Sequence, residues 1–474
     1  MGETYLIQYD GMLRRHPREI NQRGFTYDEA ISYIEKMQWK NARLISIKEE
    51  IEKYKLQGDP MYKGLFDSEV YDYETWRNAY MDNNINGVRL PIYINTNDEY
   101  IEELENIYKK YLFEINKPAF AYEDGLVSEV ENTCKNIIGI IKMLIEGDVF
   151  DAESQLKDMI EKFSVHSFFV NELDKSYSFR GIAPYIELQR NGHEDVYREM
   201  RNQELSFFRV RTKKEIVKND ISKLTHIVHL PYEMRGNASN MRFSRVGYPC
   251  LYLGTTTYVC CKECGWDVSS EEMFAASFVP NEQGKKLKIL NLTISQALIN
   301  GIYHKSIDNL EIEEKLQIMM LKIFPLVIAT SFSVSEKNRE IKYEYLISQA
   351  LMKVINEIGI DGIAYLSMKG KDEFQYPQGV NLALPAWDIT EEKQYSSICD
   401  AFSISLPIKF CQQDAGAKKS YINSVYKKFN RFGMENYISK TDVDGKEIYY
   451  GDTEYGKFDN YLVSQPLYKF QSCF

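Results

Sequence analysis

Apolar positions in this chain fall into two textures, with the change near residue 205. Upstream, the regular stretches have helical spacing. In EDGLVSEVENTCKNIIGIIKMLIEGD, Val127, Val130, Ile137, Ile138, Ile141 and Leu144 recur at helical steps, which predicts an amphipathic helix ending at Gly147. VFDAESQLKDMIEKF follows after a tight turn and predicts the second arm of an antiparallel helical hairpin. Shorter helices are expected over 26–38, with Thr26 as N-cap, and over 98–115, with a strand at 87–97 between them. Downstream, the apolar runs shorten to strand length: LSFFRVR, THIVHLP, PCLYLGT, KILNLT, PLVIATSFSV, GIDGIAYLS and VNLALPA. One helix interrupts them. KYEYLISQALMKVINEIG puts Tyr345, Leu346, Leu351, Met352, Val354, Ile355 and Ile358 mainly on one face and stops at Gly359.

Strands that do not alternate strictly with helices indicate an α+β fold rather than a doubly wound sheet. The expected organisation has an N-terminal accessory region over 1–120, a helical hairpin region over 121–200, a β-rich unit over 201–395, and a Tyr-rich extension over 396–474. In the extension, Asp444-Gly445 is a hairpin signal. The most apolar stretch, 316–334, is broken by Lys322 and Pro325. It is expected as a buried helix running into a buried strand, not as a membrane span.

The chain has 474 residues with 58 Lys and Arg against 69 Asp and Glu, a net charge of −11, so a whole-molecule basic surface for nucleic acid is absent. The N-terminus has no apolar core of signal-peptide length, and Leu6 stands where a myristoylation motif needs Ser or Thr. Cys134, Cys250, Cys260, Cys261, Cys264, Cys399, Cys411 and Cys473 are scattered without a framework and read as reduced thiols in a cytoplasmic protein. Aromatic residues are abundant, 35 Tyr and 24 Phe, against six His, which disfavours a His-rich metal enzyme.

Most motif tests fail. Cys261 and Cys264 form one CxxC with no second pair or His pair to complete a zinc site, so small buried thiols are the better account. His226 and His229, three apart in an expected strand, would face opposite sides. DVDG lacks the acidic residue that would complete a calcium loop. No nucleophile elbow, Walker A, HExxH or dinucleotide fingerprint is present. What remains is a set of arginines beside apolar strands: Arg209 and Arg211 in LSFFRVR, and Arg235, Arg242 and Arg245 in the loop leading to PCLYLG. Guanidinium forks and backbone donors of this kind suit phosphate groups.

The order of these segments resembles the RES domain, a family named after its Arg, Glu and Ser signature. The matching pieces are FFRVR (207–211), HLPYEMRGNASNMRFSRVGYPCLYLGTTTYVCCKECG (229–265), PLVIATSFSV (325–334), EYLISQALMKVINEIGIDGIAYLS (344–367) and GVNLALP (379–385), covering roughly 200–390. The upstream hairpin also resembles the helical region that precedes this domain in long members. The block CCKECG departs from the family by placing small thiols around the Glu, a departure that bears on the shape of the pocket.

The resemblance implies a mixed β-core with peripheral helices like that of ADP-ribosyltransferase toxins. It also implies breakdown of NAD by phosphorolysis or hydrolysis, and a cognate antitoxin. Carried over by position, the implied catalytic residues are Glu263, Arg209 and Ser367, and the implied substrate-binding residues are Arg242, Tyr252, Arg211 and Asn381. Arg209 and Arg211 are alternatives for the first arginine. No metal or cofactor is implied; NAD is the substrate and inorganic phosphate a candidate co-substrate. A homo-oligomer is compatible, and neither a membrane nor a nucleic acid is an expected partner. ADP-ribosyl transfer to a macromolecule and a catalytically idle binding module are the competing readings.

Overall fold

The computed structural model describes residues 5–9, 12–14, 27–36, 42–46, 84–182, 205–212, 224–265, 272–301, 310–336, 339, 341–369, 379–410, 437–438, 448–449 and 454–470. Thr26 and the Asp444-Gly445 turn lie outside them. The helices are α1 (Tyr27–Lys36), α2 (Glu99–Ile115), α3 (Leu126–Glu146), α4 (Val149–Ser164), α5 (Tyr177–Arg180), α6 (Thr257–Cys264), α7 (Gln296–Gly301), α8 (Leu310–Ala329), α9 (Tyr343–Glu357) and α10 (Glu454–Val463). Strands β1 (Tyr5–Tyr9), β2 (Met12–Arg14) and β3 (Arg43–Ser46) form a small antiparallel sheet, and β4 (Ile92–Ile94) pairs in parallel with β10 (Phe332–Val334). β15 (Tyr437–Ile438) and β16 (Ile448–Tyr449) pair antiparallel on either side of the expected hairpin turn.

The main sheet is built from β5 (Val170–Glu172), β6 (Phe207–Thr212), β7 (Cys250–Gly254), β8 (Met273–Pro280), β9 (Lys288–Leu292), β11 (Gly362–Leu366), β12 (Val380–Pro385), β13 (Phe402–Ser405), β14 (Ile408–Lys409) and β17 (Leu467–Lys469). Its order is β17, β13, β8, β6, β7, β12, β11, β9, β5, with β14 also on β8. The β11–β9 pair is parallel and the rest antiparallel, so the fold is α+β with a mixed sheet. One core takes in Tyr100, Ile137 and Phe324 from the helices together with Leu290, Tyr365 and Ala383 from one sheet face. The opposite face buries Phe207, Leu253, Phe278 and Leu382. Among the described residues no helix is long and apolar enough to cross a membrane.

The hairpin helices α3 and α4 form where the spacing placed them, and Gly147 ends α3 with φ 96°, a left-handed position that glycine adopts without strain. Gly359 does the same after α9, with φ 71°.

Of two expected strands, one forms only at its end, as the reading of 316–334 as a helix running into a strand has it, and the other does not form. Residues 325–329 of PLVIATSFSV continue α8, and only Phe332–Val334 is extended. Pro325 supplies no N–H to the carbonyl of Leu321, which should end the helix. Instead, the Tyr111 hydroxyl donates to that oxygen at 2.7 Å. Tyr108 and Tyr100 donate to Pro325 O and Ala329 O, each at 2.8 Å. One row of tyrosines on α2 thus satisfies α8 through its proline and at its end. THIVHLP forms a 3-10 turn at Leu224–His226 followed by irregular chain. Its Ile227 and Val228, with Leu224 just before it, are apolar because they fill the core of the second face.

The expected strand at 87–97 shortens to β4. Strands β8 and β13 were not expected. MFAASFVP is buried along its whole length but carries two alanines and a serine, so it lacks the β-branched texture of a strand.

Between β6 and β7 the sheet parts. β6 pairs with β8 over six residues, from Phe207↔Phe278 to Thr212↔Met273, but meets β7 at the single position Phe208↔Gly254. At that meeting point α6 lies close against the strand end. A Cβ on Gly254 would sit 2.5 Å from Val259 Cγ1 and 2.6 Å from Cys260 Sγ, so only glycine permits the approach.

Candidate active site

The helix α6 starts where Thr256 accepts a hydrogen bond on its side chain from Val259 N, and ends at Gly265 in the left-handed conformation. Its last turn carries Glu263 at the half-buried surface. The carboxylate oxygen Oε1 accepts from Ser367 Oγ at 2.8 Å and from Asn381 Nδ2 at 2.7 Å. Oε2 takes no hydrogen bond from the described residues. Ser367 follows β11 and Asn381 lies on β12, and both are buried. Their meeting is a consequence of sheet register: Tyr365 pairs with Asn381 across β11 and β12, and Ser367 N donates to Gly379 O. Two residues, 104 and 118 positions further along the chain, therefore fix the Glu263 carboxylate.

Arg209 on β6 sits where the sheet parts. It is 7% exposed, and its Nη1 donates to the carbonyl of Tyr252 on β7 at 2.8 Å. Its Nε has no hydrogen-bond partner. Among the described residues no carboxylate pairs with it. Burial first, and then the like charge of Arg211, push its pKa down to about 9. Cys260 and Cys261, on the helix that carries Glu263, pack with Phe208 and Val210, the neighbours of Arg209 on β6. Arg211, two residues on, is half-buried toward the open end of the strand. Of the two arginine candidates, Arg209 is the one enclosed.

Tyr252 is fixed rather than available for wide movement. Its hydroxyl donates to Ser244 Oγ at 3.0 Å and accepts from Phe243 N at 3.2 Å, and burial pushes its pKa well up. Arg242 is held differently from expectation. Its Nη1 and Nη2 donate to Thr330 O and Phe332 O at 2.7 and 2.6 Å, just beyond the end of α8, where a cation also meets the negative end of the helix dipole. The guanidinium lies over the Tyr345 ring at 4.9 Å. These bonds commit part of its donor fork to the backbone. Arg235 stacks on its own Tyr232 at 3.6 Å on the exposed surface, and Arg245 is tied to Glu153 of α4 at 2.7 Å. Of the loop arginines, Arg242 is the one bonded to the chain that joins α8 to β10.

Tyr365 is the member that sequence reading missed. It is buried and packs against Phe243 with ring centroids 4.4 Å apart. Its pKa is pushed well up by burial first, then by Glu263 and Tyr252, with Arg242 opposing. One phenol thus stands within electrostatic reach of three predicted site residues. The available signal was alternation: in GIAYLS, Tyr365 lies two positions before Ser367 and so on the same face.

The cysteines next to Glu263 divide. Cys260 and Cys261 are buried, and Cys264 is exposed. No group of His, Cys, Asp and Glu suited to a metal occurs among the described residues. His226 and His229 do not lie on a strand. His229 is buried, with Nδ1 2.7 Å from Leu230 O and Nε2 accepting from Ser396 N at 3.0 Å, a pattern that fixes the neutral tautomer protonated on Nδ1.

Burial pushes the His229 pKa down to about 4, with the Arg209 charge in the same direction. Above pH 6.5 the ring is neutral in both folded and unfolded chains. As pH falls from 6.5 to 4 the unfolded chain takes up the proton first, so stability is lost across that window. The expected loss is roughly 3 kcal/mol, and in His229→Gln this component should vanish from denaturant unfolding measured at pH 7 and pH 4.5.

The chain is 24% identical over 330 residues, 67% of its own length and 68% of the other's, to a protein of Bacillus subtilis (strain 168) named "Putative toxin YopC". No protein-family model matches the chain, and no solved structure matches it significantly.

Proposed function

We propose that this protein is a toxin that cleaves the nicotinamide–ribose bond of NAD. The observation that carries the reading is a preoriented carboxylate on α6 together with a buried guanidinium, paired with no carboxylate among the described residues, on the strand against which α6 packs. A buried cation without a counter-charge is costly, and a site that receives an anion recovers that cost on binding. The pyrophosphate of a dinucleotide, or free phosphate, is an anion that suits a guanidinium fork. The similarity to a protein named as a toxin supports the biological side of the reading.

The chemistry needs little else. When the C1′–N bond breaks, its electron pair moves onto the nicotinamide nitrogen and neutralises the pyridinium, so the leaving group departs without a proton. Positive charge then develops on the ribosyl carbon. Glu263, with Oε1 held by Ser367 and Asn381, keeps Oε2 for the ribose and stabilises that charge electrostatically. A phosphate oxygen or a water captures the cation, and a captured water releases its proton to solvent. The scarcity of His is no obstacle, because no general acid is required.

Incubation of the purified full chain with NAD, with and without phosphate, tests the reading. Loss of NAD with release of nicotinamide is expected, and phosphate dependence distinguishes phosphorolysis from hydrolysis. An unchanged NAD pool in both buffers, with the protein folded, refutes it; label transferred from NAD to a macromolecule would make the activity ADP-ribosyl transfer.

A further inference from the structure

The N-terminal end of α6 is held from far along the chain. Asp459 of α10 is fully buried, and its carboxylate accepts from Thr257 N, at 3.1 Å to Oδ1 and 3.4 Å to Oδ2, and from Thr257 Oγ1. Thr257 is the first residue of α6 and is itself fully buried. A carboxylate here satisfies an N–H that the helix cannot satisfy internally, and it complements the positive end of the helix dipole. The same helix presents Glu263 in its last turn, about 9 Å along the axis from Thr257.

Asp459 does not reach α6 by chance of a loose tail. Phe458 and Leu462 of α10 are fully buried in one cluster with Phe208, Val259, Cys260 and Cys261, and Ser277 Oγ on β8 donates to Leu462 O at 3.2 Å. Beyond α10 the chain pairs β17 with β13 at Ser403↔Lys469 through Ser405↔Leu467.

We infer that Asp459 is a positioning residue for Glu263: by anchoring Thr257 it sets the axial position and tilt of α6, and so the place of the carboxylate relative to Ser367, Asn381 and Arg209. Residues 454–470 are then a working part of the catalytic unit. The inference rests on the reading of Glu263 as the acting carboxylate. A rigid helix pivoting at a released first turn displaces its far end, and a misplacement of about 1 Å costs on the order of 100-fold in rate.

The test uses the full chain and three variants, Asp459→Ala, Asp459→Asn and Thr257→Val, at a temperature where circular dichroism shows all to be folded. Asp459→Ala is expected to lower kcat for NAD cleavage roughly 10- to 100-fold with KM for NAD within about twofold, because the anion-binding arginine is untouched. Asp459→Asn keeps one acceptor for Thr257 N and is expected to restore most of the rate. Hydrogen exchange of peptide 257–264 should quicken in Asp459→Ala and not in Asp459→Asn, while β11 and β12 stay protected. Should Asp459→Ala fail to fold, Thr257→Val carries the same two readouts. Wild-type kcat in the variant, or lowered kcat without faster exchange in 257–264, overturns the inference. If the wild type itself does not cleave NAD, the functional reading falls, and exchange still decides whether Asp459 holds the helix.

Discussion

Glu263→Gln is expected to reduce NAD turnover by about 100- to 1,000-fold, the size of effect seen when one preoriented electrostatic group is removed from an active site. The substitution is close to isosteric. The glutamine carbonyl can still accept from Ser367 Oγ and Asn381 Nδ2, the two bonds that hold the native carboxylate. The negative charge opposite the developing ribosyl cation is what disappears. KM for NAD should therefore change little while kcat falls, and the melting temperature should stay within a few degrees of wild type. Equal turnover in wild type and variant would remove Glu263 from the mechanism. Ser367→Ala and Asn381→Ala lie one step back: each removes one of the two donors on Oε1, so each should cost less than the charge itself.

Arg209→Met is expected to abolish activity and raise stability at once. The folded protein at neutral pH carries the full cost of a buried guanidinium whose Nε is unbonded and which no carboxylate among the described residues offsets. A pKa depressed from the ordinary guanidinium range to about 9 corresponds to roughly 5 kcal/mol of disfavour for the charged form. Burial lowers the folded value, so this penalty is present in full below pH 9 and is relieved progressively as pH rises from there toward the unfolded guanidinium value. Methionine fills a similar length without charge and should recover a part of the penalty. Thermal unfolding without ligand should show an equal or higher melting temperature for the variant, with NAD cleavage down at least about 100-fold. A variant that is both inactive and strongly destabilised would mean that Arg209 serves the fold rather than an anion. Wild type should also gain more stability from added ligand anion than the variant does, because the anion binds the folded state through this group.

Where the chain reads locally, residues and structure agree. The α3–α4 hairpin, α2 and α9 follow from apolar spacing and glycine stops, because helical pairing closes within four residues and needs no distant partner. The strands with β-branched and aromatic texture, β6, β7, β9, β11 and β12, lie where the apolar runs placed them. The candidate site residues were picked out as types at positions, through a segment order that resembles a known domain. Arg242 was legible as a position, but its commitment to Thr330 O and Phe332 O was not, since those carbonyls are 88 and 90 residues away. Tyr365 was passed over because a tyrosine in an apolar strand looks like core until its neighbours across the sheet are known.

The sequence by itself determined the α+β class, the helical hairpin, and the presence of an Arg, Tyr, Glu, Ser and Asn set on or next to strand-length segments. Tertiary structure alone decided three further things. It showed that α8 runs through Pro325, because hydroxyls from another helix take up the carbonyls. It showed that the sheet parts beside Gly254 and encloses Arg209 rather than Arg211. It brought Ser367 and Asn381 onto one oxygen of Glu263 and set Asp459 at the other end of the same helix. The reason is common to all three. Helix spacing is written in residues that touch their near neighbours, whereas a hydrogen bond between positions 43 or more apart exists only after register and packing have brought them together.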